Sequence, residues 1–165
     1  MQERLAQLQD MLWTHIPITR QLGLKVDTYD GQRLCFTAPL TANVNHAGTV
    51  FAGSLNALLT LTGWGMTWLL MQELELAGEI VIQDSSCRYL APVTQDFVTI
   101  CARPQQQSIE QFVRMLRRRG RGRLELKVDI VEGTTTVVSF TGRYVVHNDG
   151  EQHNSNSPYN SNLIF

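Results

Sequence analysis

One stretch limits the possible folds more than any other. Leu55 to Met71 is a run of seventeen residues without a charge, and it follows directly on the polar segment Asn43-Val44-Asn45-His46-Ala47-Gly48-Thr49-Val50-Phe51-Ala52-Gly53-Ser54. Its Leu, Ala, Met and Trp content suits a helix, and the Asn, Gly, Thr and Ser residues ahead of it suit a turn or helix start. Such a helix is apolar nearly all round, so it must be enclosed. A bilayer span is the first alternative, but the run sits at the lower end of the roughly 17–25 residues needed. It also carries Asn56, Thr60, Thr62, Gly63, Gly65 and Thr67, and it has no basic flank. A sheet wrapped round the helix accounts for it better. The free N–H groups at the start of such a helix attract anions or a polarised carbonyl oxygen, which makes the preceding loop the first place to look for chemistry.

The rest of the chain supplies the sheet. Leu5, Leu8, Met11 and Leu12 recur at helical spacing and predict a short N-terminal helix within residues 1–15. Gly23 to Tyr29 alternates, Asp30-Gly31 signals a hairpin, and Leu34 to Pro39 forms the second strand. Beyond Ala77-Gly78, strand character returns over Glu79–Leu90 and Asp96–Ala102. A helical, arginine-rich insertion is expected over 108–123, capped by Ser108 and stopped by Gly120, with strands over Arg123–Val131 and Thr135–Val146 around it. Residues 148–165 are rich in Asn and Ser and read as a loosely held tail. An antiparallel sheet curled round one long helix over residues 16–147 buries both an all-round apolar helix and strands with one apolar face. The fold class is therefore α+β.

Composition excludes several function classes. At 165 residues, 43% hydrophobic, 18% charged and net charge −1, the chain suits one domain and has no global field for nucleic acid. Cys35, Cys87 and Cys101 are an odd number in strand-like runs without metal-ligand spacing, so they read as free core thiols. With no signal-peptide pattern at Met1-Gln2-Glu3-Arg4, the cytoplasm is the expected location.

Several motifs together resemble a known group: Ala38-Pro39-Leu40, Asn43-x-Asn45-His46-x-Gly48-Thr49, Phe51-Ala52-Gly53-Ser54, Gly63-Trp64-Gly65 and Tyr89-Leu90-x-Pro92-Val93-x-x-Asp96-Phe97. Over roughly residues 17–147 the chain resembles the hotdog-fold acyl-thioester enzymes, and within them the thioesterase-like branch also found fused to acetyltransferases. That branch includes malonyl-ACP decarboxylases, which supply acetyl-ACP to start fatty acid synthesis. The resemblance implies a homodimer or dimer of dimers. It also implies no cofactor beyond the phosphopantetheine of acyl carrier protein (ACP) or coenzyme A (CoA) that carries the substrate.

Departures from the hydrolytic pattern bear on the reaction. Phenylacetate-type hotdog thioesterases place a His-Gly-Gly after the loop Asn and a water-directing Asp nine residues beyond the His. Asn45 falls on that Asn, whereas Phe51 stands in place of the His and Thr60 in place of the Asp. A neutral hydroxyl is no general base near pH 7. The reading is therefore a malonyl-thioester decarboxylase in which Asn45 is the main polar catalytic residue and His46 orients the loop or supplies a proton. The backbone over Phe51, Ala52, Gly53 and Ser54 forms the oxyanion site, and Thr60 lines the pocket. Asp84, mid-strand, is the candidate acid that would restore a thioesterase, with Glu73 the next carboxylate on the helix. Arg114, Arg117, Arg118, Arg119, Arg121 and Arg123, six of fourteen basic residues, are the candidate surface for ACP or CoA. A thioesterase is the alternative, and a non-catalytic carrier-binding module is a second.

Overall fold

A computed structural model describes residues 2–148; the expected tail lies outside the described residues, apart from Asn148. Helix α1 (Gln2–His15) is followed by one turn, α2 (Ile18–Gln21), which the sequence periodicity does not signal. Strands β1 (Lys25–Tyr29) and β2 (Arg33–Ala38) come next, then the long helix α3 (Ala52–Glu73). Strands β3 (Glu79–Tyr89) and β4 (Phe97–Ala102), helix α4 (Gln106–Arg119), β5 (Arg121–Glu132) and β6 (Thr135–His147) complete the order. The β1–β2 turn is built as its residues predict. The Asp30 carboxylate accepts from the N–H groups of Gln32 and Arg33 at 2.7 and 2.6 Å, and Gly31 takes a φ of 86°.

All six strands form one antiparallel sheet in the order β1-β2-β4-β5-β6-β3. It curls round α3, which contacts β2 through β6. This is the expected hotdog arrangement. Leu55, Leu58, Leu59, Met66, Leu69 and Leu70 of the helix are buried among Phe36, Leu126, Val128, Phe140 and Tyr144 of the strands. The threonines within the helix are compatible with this because each finds a partner. Thr62 donates to the Leu58 carbonyl at 2.7 Å and its hydroxyl meets that of Thr99 at 2.6 Å, while Thr67 donates to the Gly63 carbonyl at 3.1 Å. Gly63 and Gly65 leave room for the strand aromatics, since a Cβ at Gly63 would collide with the Tyr144 ring and one at Gly65 with Phe36. No helix among the described residues is long and apolar enough to cross a membrane.

Several boundaries differ from expectation. The insertion helix starts at Gln106, so Ser108 lies inside its first turn and is not the cap. The helix ends at Gly120, whose φ of 63° is the left-handed stop. The arginine run is consequently split: Arg114, Arg117, Arg118 and Arg119 are on α4, whereas Arg121 and Arg123 begin β5. Helix α3 starts three residues before the apolar run, with Phe51 as N-cap and no side-chain cap; Ser54 is buried in the first turn.

Strand β3 is an edge. Its eleven residues pair on one side only, with β6, and most are exposed. Beside its end lie the exposed apolar residues Phe51, Tyr89 and Leu90.

Candidate functional site

The loop between β2 and α3 is held by its backbone. Phe51 N–H donates to the Asn43 carbonyl at 2.7 Å, Val50 N–H to the Val93 carbonyl at 2.8 Å, and Asn45 N–H to the Thr49 carbonyl at 2.8 Å. The buried Asn43 side chain donates to the carbonyls of Leu22 and Pro39, both at 2.8 Å, anchoring the loop to the α2–β1 turn. Within this frame the Asn45 side-chain oxygen accepts from Ala47 N–H at 2.8 Å and Thr49 N–H at 3.2 Å, and its amide donates to the Thr49 hydroxyl at 2.9 Å. The oxygen is thus committed to the turn, while the amide keeps one N–H for a ligand.

Asn45, Thr49, Val50, Ala52 and Leu55 form one wall of an open cleft of about 330 Å³, and Tyr89 to Val93 form the other. Leu55 N–H makes the first helical bond, to the Phe51 carbonyl at 3.1 Å. The N–H groups of Ala52, Gly53 and Ser54 have no acceptor among the described residues. The Phe51 ring lies over Gly53, where a Cβ would overlap it. Tyr89, which ends β3, reaches the same helical turn. Its hydroxyl donates to the Ala52 carbonyl at 3.2 Å, and the side chains of Asn56 and Cys87 lie beside it. Burial, then the Cys87 thiol, raises the phenol pKa against a smaller opposing effect of Asn56, which keeps it protonated at neutral pH.

The structure brings Asn45 and Ala52 together in the cleft, with Phe51, Gly53 and Ser54 in the adjoining helix start. His46 is exposed and does not line the cleft. Thr60 lies two turns along the helix, its hydroxyl 3.4 Å from the Asn56 side-chain oxygen.

Both candidate acids are elsewhere. Asp84 does not face the cleft of its own chain. It sits at a register shift in β3, where the cross-strand partner is Arg143, and the guanidinium holds it at 2.8 Å on the outer face of the sheet. Arg143 also approaches Glu125 of β5 at 3.8 Å. Glu73, at the far end of α3, accepts from Tyr29 at 2.7 Å and from Arg103 at 2.6 Å. No carboxylate lines the Asn45 cleft among the described residues. Burial pushes the Cys87 thiol upward and Cys101 up to about 12, which makes these two poor nucleophiles, and all three cysteines are free.

The arginines form a second feature. Arg119, Arg121 and Arg123 line a groove of about 660 Å³ between α4 and the sheet, together with Arg143, Phe112 and Met115. Arg114, Arg117 and Arg118 are exposed on α4 and do not line it. The groove is far from Asn45 in the same chain. Arg121 is registered through His147 with Glu79, the opposite end of β3 from Tyr89. Ten residues of strand separate them, roughly 30 Å at about 3.3 Å per residue.

Sequence reasoning missed Thr49 and Tyr89 as parts of the cleft. Thr49, four residues from Asn45 in a turn rich in Gly, carried a local signal. Tyr89 stands in one of the motifs that carry the resemblance, but no local signal places it at the cleft, because it reaches α3 only through the curl of the sheet.

Solved structures resemble most of the chain. A Chlorobaculum tepidum protein of unknown function shares 31% identity over 87% of this chain and 94% of its own, with a TM-score of 0.84. A Shewanella oneidensis protein described as a "putative thioesterase" shares 32% over 89% and 99%, with a TM-score of 0.79. The Escherichia coli PaaI protein from the phenylacetic acid degradation operon, at 16% identity over 90% and 95% with a TM-score of 0.57, is alike in fold. A family model matches residues 5–148, nearly the whole of the described chain, and by that match the protein belongs to the hotdog-fold family described as "Putative thioesterase (yiiD_Cterm)".

Proposed function

We propose that the protein decarboxylates a malonyl thioester carried on the phosphopantetheine of ACP or of CoA, giving the acetyl thioester that starts fatty acid synthesis. The observation that supports this reading is the acid-free cleft. Asn45 and Ala52, the first residue of α3, line it, while Glu73 and Asp84 are each held by an arginine elsewhere.

Loss of CO2 leaves a thioester enolate, and the reaction accelerates to the extent that the site binds this developing oxyanion more tightly than the ground-state carbonyl. The remaining Asn45 N–H and the N–H groups of Ala52 to Ser54 are donors of that kind, oriented before substrate arrives. A fixed carboxylate in the cleft would repel the malonyl carboxylate. Water activation by contrast needs a base, and the cleft wall offers none.

The free edge of β3 and the apolar residues at its end favour a homodimer in which two β3 strands pair. With the two-fold axis near the middle of the strand, the start of one β3 lies against the end of the other. The arginine groove of one protomer then flanks the Asn45 cleft of its partner. An acidic carrier docked on the groove would deliver its pantetheine arm across the subunit boundary.

Mass spectrometry of malonyl-ACP after incubation with wild type and Asn45→Ala tests the reading. Acetyl-ACP is expected from wild type alone. A second reading, thioester hydrolysis, is favoured by the family's description and by the Shewanella relative. Free ACP and released malonate would establish it and overturn the decarboxylase.

A further inference from the structure

An enolate left by loss of CO2 must take up a proton at its α-carbon before it leaves as an acetyl thioester. The cleft offers few sources. Of the residues lining it among those described, Tyr89 alone carries a group of the types that serve as general acids; the others are Asn45, Thr49 and aliphatic residues. His46 is exposed outside the cleft, and the Cys87 thiol lies behind the Tyr89 hydroxyl rather than on the cleft wall.

Tyr89 is also well placed. It is the last residue of the edge strand, and its side chain leaves the sheet to bridge the cleft to the first turn of α3. The hydroxyl therefore reaches the same turn of α3 whose N–H groups would hold the enolate oxygen. Its 3.2 Å bond to the Ala52 carbonyl is long for an O–H donor, and rotation about the C–O bond redirects the hydrogen into the cleft without moving the ring. Water enters the cleft each time product leaves, and that water restores the proton that Tyr89 gives up.

We infer that Tyr89 is the proton donor of the reaction, an assignment that rests on the decarboxylase reading. The bond between the malonyl α-carbon and its carboxylate breaks, CO2 departs, and the electron pair forms the enolate held at Asn45 and the helix start. The Tyr89 O–H then protonates the α-carbon, the enolate oxygen returns to a carbonyl, and the tyrosinate recovers its proton from water. One proton is consumed per acetyl thioester formed, and no other reactant is needed.

The test is decarboxylation of malonyl-ACP by the full-length protein in an equal mixture of H2O and D2O, with the hydrogen-to-deuterium ratio of the acetyl methyl group read by mass spectrometry. Tyr89→Phe is expected to lose on the order of 10²-fold in rate, to change that ratio because water becomes the donor, and to lose the alkaline limb of the wild-type rate profile. Incorporation of 3-fluorotyrosine at position 89, which keeps the ring and its contacts but makes the phenol more acidic, should move that limb to lower pH. An unchanged isotope ratio in Tyr89→Phe, or an alkaline limb that 3-fluorotyrosine does not move, would overturn the role of Tyr89 while acetyl-ACP is still made. Wild type that releases malonate and makes no acetyl-ACP would overturn the decarboxylase reading, and this assignment with it.

Discussion

The Thr49 hydroxyl accepts a hydrogen bond from the Asn45 amide at 2.9 Å, closing a five-residue turn whose N–H groups already hold the Asn45 oxygen. Thr49 thereby fixes which amide hydrogen is left for a ligand. Thr49→Val removes this restraint while keeping shape. A fall of about tenfold in kcat is expected, with a smaller change in KM and roughly 1 kcal/mol lost in stability. Thr49→Ser should retain both. Steady-state kinetics with a thermal melt on each variant would check this.

Asn45→Asp separates folding from chemistry. The carboxylate can still accept from Ala47 and Thr49 N–H, so the turn persists, but it offers the substrate a negative charge in place of a donor. Activity at pH 7 is expected to fall by roughly two to three orders of magnitude, with the melting temperature within a few degrees of wild type. A normal CO2 release rate from this variant would remove Asn45 from the mechanism.

Alkaline pH should loosen the far end of α3. Tyr29 donates to Glu73, and Arg103 donates to both at 2.6 Å. Burial first, then the hydrogen bond to the Glu73 carboxylate, raises the phenol from 10 to about 12. Because the folded pKa lies above the unfolded one, the stabilisation is complete below pH 10 and is lost as pH rises through 12. This amounts to on the order of 2–3 kcal/mol. Denaturant melts across that window should show the loss in wild type, and the difference from Tyr29→Phe should shrink as pH rises.

Gly63 tests the packing of helix against sheet. A methyl group there meets the Tyr144 ring, whose hydroxyl donates to the Thr60 carbonyl at 2.7 Å. Gly63→Ala must displace that ring and its bond, so a net loss of about 1–3 kcal/mol is expected despite the better helix propensity of alanine. Chemical denaturation of the purified variant would measure it.

The arginine groove should matter only for an acidic carrier. Arg121→Gln with Arg123→Gln is expected to raise KM for malonyl-ACP about tenfold at low salt, and the effect should fade at high ionic strength. Turnover of a small pantetheine thioester should be unchanged. Equal effects on both substrates would remove the carrier role.

Much of this architecture is legible in the residues. Leu55 to Met71 requires enclosure, and the alternation of Leu124, Leu126, Val128 and Ile130 supplies an enclosing strand whose inner face is those four residues. What the sequence withholds is whatever depends on curl and register. The Asp84 carboxylate, judged a candidate by being out of place in a strand, is explained by Arg143, a residue 59 positions away that only the β3–β6 register brings opposite it. Tyr89 was hidden for the same reason, since nothing local ties the end of β3 to the first turn of α3. The arginine run reads as one helical block, but the left-handed Gly120 divides it between two elements and so gives the groove its two walls.

The loop that carries Asn45 is joined to its surroundings largely through main-chain groups, from Phe51 to Asn43 and from Val50 to Val93. Its position therefore depends little on which side chains line the cleft. Of the apolar residues lining the cleft, Leu55 and Val93 are buried in the core, whereas Leu90 is exposed and can change in size without disturbing it. On the function proposed above, a change at position 90 would alter what the cleft accepts while leaving the Asn45 donor in place.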